Sequence, residues 1–127
     1  MNKDAIKIVL AEDDVNIRLL ISDRLKYAGY EVYEAERGED ALRLINENNP
    51  DLAILDILMP PPNGLQVCRQ VKADPTLEHI PVILLTAKSD ESDRFWGMET
   101  GADAYITKPF DPDELLKKIR LFTRIYG

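Results

Sequence analysis

The chain has 127 residues, 45% of them hydrophobic and 31% charged, with a formal net charge of -7 and a single cysteine, Cys68. That length suits one domain whose core buries roughly two thirds of the unfolded surface, and the acidic balance argues against a broad phosphate-binding surface for nucleic acid. One cysteine excludes an internal disulfide, Glu12 interrupts the first apolar run too early for a secretory signal, and no stretch approaches a membrane span; a single cytoplasmic domain over 1–127 is expected.

In chain order, an apolar run at Ile6–Ala11 leads into Glu12 and Asp13. Asp14 reads as the N-cap of a first helix, because its carboxylate can accept an orphan N–H. Ile17, Leu20, Ile21, Leu25 and Ala28 fit one face of that helix. A strand is expected over residues 31–35 and a helix over 39–48. Leu52–Leu55 then precedes Asp56, with a helix over 65–73. Val82–Leu85 precedes Thr86, a helix is expected over 91–100, and Ala104–Thr107 precedes Lys108. Leu115, Ile119 and Phe122 mark the apolar face of the last helix. The four runs that end in chemistry are short, aliphatic and without alternation, which predicts strands buried on both faces.

Five strands alternating with five helices predict an α/β fold, a doubly wound parallel sheet. Such a sheet brings the carboxyl ends of all its strands to one edge, where ligands bind. Glu12, Asp13 and Asp56 then form an acidic pocket with Lys108 beside it, a setting for a divalent metal and phosphoryl chemistry.

Glu12-Asp13, Asp56 followed by Met59-Pro60 and Gly64, Thr86-Ala87, and Tyr105 with Lys108-Pro109-Phe110 are individually weak signals and jointly a strong one. With these motifs in this order, the chain resembles the receiver domains of two-component response regulators over essentially its whole length. The resemblance implies a flavodoxin-like sheet of order 2-1-3-4-5. It implies a phosphorylation-activated switch in which Asp56 accepts a phosphoryl group from a histidine kinase or a histidine phosphotransfer protein. An aspartate oxygen can attack phosphorus in line when charge on the equatorial oxygens is neutralised. Mg2+ is the implied cofactor, held by Glu12, Asp13, Asp56 and the backbone carbonyl of Leu58. Lys108, the Thr86 hydroxyl and the Ala87 N–H are the implied partners of the phosphoryl oxygens. Thr86 and Tyr105 are the implied switch residues, although Tyr105 also fits a plain core position. They would alter a face built from the fourth helix, last strand and last helix, and so the docking of a protein effector. No enzymatic turnover is expected beyond Mg2+-dependent self-phosphorylation and autodephosphorylation. A cis bond before Pro109 is likewise implied.

Several positions depart from the commoner receiver pattern. Glu12 stands where Asp is more frequent, Asn63 replaces a common Asp, and Pro61-Pro62 stiffens the loop after Asp56 into an extended form. Leu58 and Lys88 flank the reactive centre, and an apolar Leu58 cannot orient water, which predicts slow self-dephosphorylation. Arg94 and Glu114 match a charged dimer face, but Ala104 departs from it, so the expectation is a monomer able to pair on phosphorylation. Trp96 points away from the expected stripe of its helix and could anchor a partner or pack laterally. His79 reads as a surface residue.

Three other readings compete. A flavodoxin-like FMN carrier needs a phosphate cradle that Glu12-Asp13-Asp14 would repel. A metal-dependent phosphatase usually carries a second Asp at position 58, where this chain has Leu. A pseudo-receiver would act as an interaction module without phosphorylation. With no further domain following Gly127, a free-standing receiver and a receiver from a longer regulator both fit.

Overall fold

The apolar runs form one parallel five-stranded sheet: β1 Lys7–Ala11, β2 Glu31–Ala35, β3 Leu52–Asp56, β4 Val82–Thr86 and β5 Ala104–Thr107. The strand order is β2-β1-β3-β4-β5, as expected. The structure is a computed structural model that describes residues 5–86 and 101–123. Among the described residues there are four helices: α1 Val15–Tyr27, α2 Gly38–Asn48, α3 Gly64–Ala73 and α4 Pro112–Thr123. The fifth expected helix, at 91–100, lies outside the described residues, as do Ala87, Lys88, Arg94 and Trp96. None of the helices among the described residues is long and apolar enough to cross a membrane.

Successive strand residues point to opposite faces, so each strand feeds two cores. Val9, Leu55 and Leu84 pack with Ile45 of α2 and Val67 and Val71 of α3. Ile8, Ile54 and Leu85 pack on the other face with Ile21 and Leu25 of α1 and Leu115 and Ile119 of α4. Each fully buried aliphatic side chain contributes about 1.5–3 kcal/mol through burial. The two-sided burial expected of the apolar runs holds for β3 and β4 throughout and for β1 beyond Lys7. It fails for β5, in which only Ile106 is buried, because an edge strand has a sheet neighbour on one side alone.

The expected face of α1 needs a second correction. Ile21 and Leu25 are buried, but Leu20 is 59% exposed, Ala28 is exposed, and Ser22 is buried in their place. The buried stripe is narrower than the apolar one, and Leu20 stands at the rim of a cavity described below.

Local signals set the helix ends. Asp14 Oδ1 accepts from the Asn16 and Ile17 N–H groups at 2.9 and 3.1 Å, the N-cap read from sequence. Gly29, at φ 100, takes the left-handed conformation just past the end of α1. Asn63 caps α3 in a reciprocal capping box with Gln66, a structural role for the residue that stands where receivers commonly carry Asp. The bond before Pro109 is cis, as the resemblance implied, and so is Pro61-Pro62. His79 is exposed, as expected.

Candidate functional site

Strand register determines which side chains meet. Ala11 pairs with Leu55, so Glu12 and Asp56, one step further along, stand side by side. Asp56 pairs with Leu85, and Thr86 with Thr107, which places Lys108 one step past the end of β5. The Lys108 N–H donates to the Thr86 carbonyl at 2.7 Å and anchors that turn.

Glu12, Asp13 and Asp56 each offer a carboxylate oxygen within 4.8 Å of the others. Glu12 and Asp56 are 1% and 2% exposed, while Asp13 faces solvent. Lys108 Nζ lies 2.9 Å from Glu12 Oε1 and 3.3 Å from Asp56 Oδ2. The Leu58 N–H donates to Asp56 Oδ1 at 3.2 Å. Thr86 is buried at the end of β4, and Tyr105 is half-buried on β5 against the α2–α3 core. Thus Glu12, Asp13, Asp56 and Lys108 share one cluster, Leu58 borders it, and Thr86 and Tyr105 lie on the strands beside it. Ala87 lies outside the described residues.

One ammonium cannot neutralise two buried carboxylates. Burial, followed by the hydrogen bond and charge of Asp56, pushes the Glu12 carboxyl up from its ordinary 4.5 to about 7, against the opposing pull of Lys108 and the Asp14 N–H. Burial alone would lower the Lys108 pKa, but its hydrogen bond to Glu12 and the two carboxylate charges outweigh that and raise it. A buried cluster with surplus charge costs stability. Folds keep such clusters where binding or chemistry uses them.

Sequence reasoning did not single out Arg18, which reaches this cluster, or Glu34, which holds Arg18. The Glu12 carbonyl accepts from Arg18 Nη1 at 2.8 Å, and Arg18 is held by Glu34 of β2. A charged residue between Tyr33 and Ala35 at the end of a strand was the available signal. Beside the cluster, a cavity of about 440 Å3 opens between α1 and the start of α4, lined mainly by apolar side chains including Leu20, Leu58, Pro109 and Phe110.

The family model described as "Response regulator receiver domain" matches residues 8–120. The chain belongs to that family. This receiver is 41% identical over 124 residues to the transcriptional regulatory protein GltR of Pseudomonas aeruginosa, covering 98% of this chain and 51% of that protein. It spans about half the length of the curated relatives it matches. Among solved structures it is similar to a putative response regulator from Chloroflexus aurantiacus, with a TM-score of 0.90 and 35% identity over 94% of this chain and 98% of that one. It is also similar to the receiver domain of the sensor histidine kinase PA1611 of Pseudomonas aeruginosa, at TM-score 0.86 and 27% identity, covering 94% and 98% of the two chains. That structure is described as having a magnesium ion coordinated in its active site cleft.

Proposed function

We propose that this receiver is a phosphorylation-dependent signalling switch in which Asp56 accepts a phosphoryl group from a phosphohistidine on a histidine kinase or phosphotransfer protein. The observation that carries the reading is the sharing of Lys108 between Glu12 and Asp56 within a three-carboxylate pocket. An Asp56 oxygen attacks phosphorus, the P–N bond to the donor imidazole breaks, and the imidazole leaves with the bonding electron pair. Lys108 follows the charge from the carboxylates to a phosphoryl oxygen, as a flexible ammonium can. The Thr86 hydroxyl and the Ala87 N–H hold the remaining oxygens.

The donor set fits Mg2+. All three side chains offer oxygen, their oxygens are close enough to share an ion, and the pocket holds more negative charge than Lys108 offsets. Glu12, Asp13, Asp56 and the Leu58 carbonyl would hold it, and the bound ion supplies charge neutralisation to the carboxylates and the phosphoryl group. The PA1611 receiver supports this assignment by analogy.

The apolar cavity beside Asp56, with Leu20 and Leu58 exposed at its rim, suits the apolar surface of a docking phosphodonor. Output proceeds through Thr86 and Tyr105 to the surface of β5 and α4, changing how a protein effector docks. Several relatives are named transcriptional regulators. In a longer regulator of that kind this chain would be the input portion, itself making no nucleic-acid contact, in the cytoplasm. Its chemistry is limited to its own phosphorylation and dephosphorylation.

Intact mass after incubation with acetyl phosphate, with and without Mg2+, tests the reading beside Asp56→Asn. One added phosphoryl group requiring both Mg2+ and Asp56 is expected. No adduct from acetyl phosphate or from a phosphohistidine donor, under rapid acid quench, overturns it in favour of a pseudo-receiver.

A further inference from the structure

Glu12 is held at both ends of its backbone as well as through its side chain. Its N–H donates to the Ala35 carbonyl at 3.0 Å and its own carbonyl accepts from Arg18 Nη1 at 2.8 Å. Arg18, only 14% exposed, places Nε 3.3 Å from Glu34 Oε1. The other Glu34 oxygen accepts from the buried Ser22 Oγ at 2.9 Å and lies 3.5 Å from Lys26 Nζ. A polar chain therefore runs from α1 and the edge strand β2 into the peptide that carries the acidic pair.

Glu12, Asp13 and Asp56 repel one another, which drives the end of β1 outward unless something holds it. A guanidinium can bond a carbonyl and a carboxylate together from one rigid plane, and an ammonium on a flexible stem has no such fork. Ser22 fixes the carboxylate that in turn fixes the guanidinium. Partners of this kind, which touch a ligand's backbone or side chain but not the ion, set where the ligand points.

We propose that Arg18, locked by Glu34 and Ser22, is a positioning residue for the acidic pocket: it sets the placement of Glu12 and Asp13, and with it the pocket's affinity for a divalent cation. The proposal rests on the Mg2+-dependent reading above. Its sign separates positioning from long-range charge. Removing a nearby positive charge would by electrostatics alone tighten cation binding, whereas losing the anchor weakens it.

Calorimetric titration of the whole chain with MgCl2 tests this, using wild type, Arg18→Gln and Arg18→Lys, each melted first in EDTA to show that it folds. Both variants are expected to weaken Mg2+ binding by about 10-fold or more, within the roughly 10- to 100-fold range for such orienting partners. Arg18→Lys keeps the charge and loses the fork, so it carries the test alone if Arg18→Gln does not fold. Unchanged or tighter binding in a folded variant overturns the positioning role. Wild type that binds no Mg2+ overturns the Mg2+ reading itself, and that outcome is visible before any variant is compared.

Discussion

Lys108 Nζ lies 2.9 Å from Glu12 Oε1, joining residues 96 positions apart, and is closer to Glu12 than to Asp56 at 3.3 Å. The lysine is a brace between the ends of β1, β3 and β5 as well as a charge beside the proposed phospho-acceptor. Because burial disfavours its charged form and Asp56 adds a hydrogen bond and a like charge that Lys108 offsets only in part, Glu12 holds its proton to unusually high pH.

That surplus predicts an inverted pH dependence. The folded-state pKa of Glu12 is raised from 4.5 to about 7, so between these values the folded chain keeps a proton that the unfolded chain has lost. The contribution of Glu12 to stability is fully present below pH 4.5 and is lost as pH rises through 7. In EDTA, the melting temperature of wild type relative to Glu12→Gln should fall across that window. A constant difference would contradict the assigned burial of the charge.

Leu58 is 61% exposed and offers only its backbone N–H to Asp56. Under the proposed chemistry it presents no side-chain group to orient the water that attacks an acyl phosphate. Leu58→Asn should shorten the lifetime of the phosphorylated form several-fold, less than the roughly 100-fold or more of a true acid or base. Decay of the radiolabelled protein measures it, and an equal or longer lifetime in the variant would refute the assignment.

Gly38, at the start of α2, leaves no room for a side chain. A Cβ there would lie 1.9 Å from the Pro62 carbonyl oxygen, in the loop between Asp56 and α3. Gly38→Ala must displace backbone on one side or the other, at a cost of about 1–3 kcal/mol from overpacking. Urea denaturation should show the loss, accompanied by slower phosphorylation from acetyl phosphate because the displaced loop follows Asp56. Unchanged stability would mean that the two segments separate freely.

Lys72 buckles the opposite end of the sheet. Its Nζ donates to the Glu78 and Ile80 carbonyls at 3.0 and 2.8 Å and lies 2.9 Å from Asp103, which in turn accepts from the Val82 N–H at 2.8 Å. With the lysine 17% exposed, Lys72→Met should cost about 1–3 kcal/mol, since carbonyls lose their donor and the aspartate its cation. A urea midpoint matching wild type would show these bonds to be replaced by water without loss.

Much of this molecule is written locally. Aliphatic runs of four to six residues specified β1, β3 and β4, and Asp14 marked the start of α1 because a cap needs only the next few N–H groups. The order of acids, threonine and lysine along the chain was legible too, since in a parallel sheet every strand ends on the same edge. Tertiary structure alone decided that Lys108 sits nearer Glu12 than Asp56, that Leu20 is at a cavity rim and Ser22 inside, and that Arg18 reaches Glu34 sixteen positions away. The physical reason is range. Periodicity and capping record burial and hydrogen bonds within a turn or two of chain, whereas charge pairing and close backbone approach depend on strand register and helix docking, which packing sets after the elements have formed.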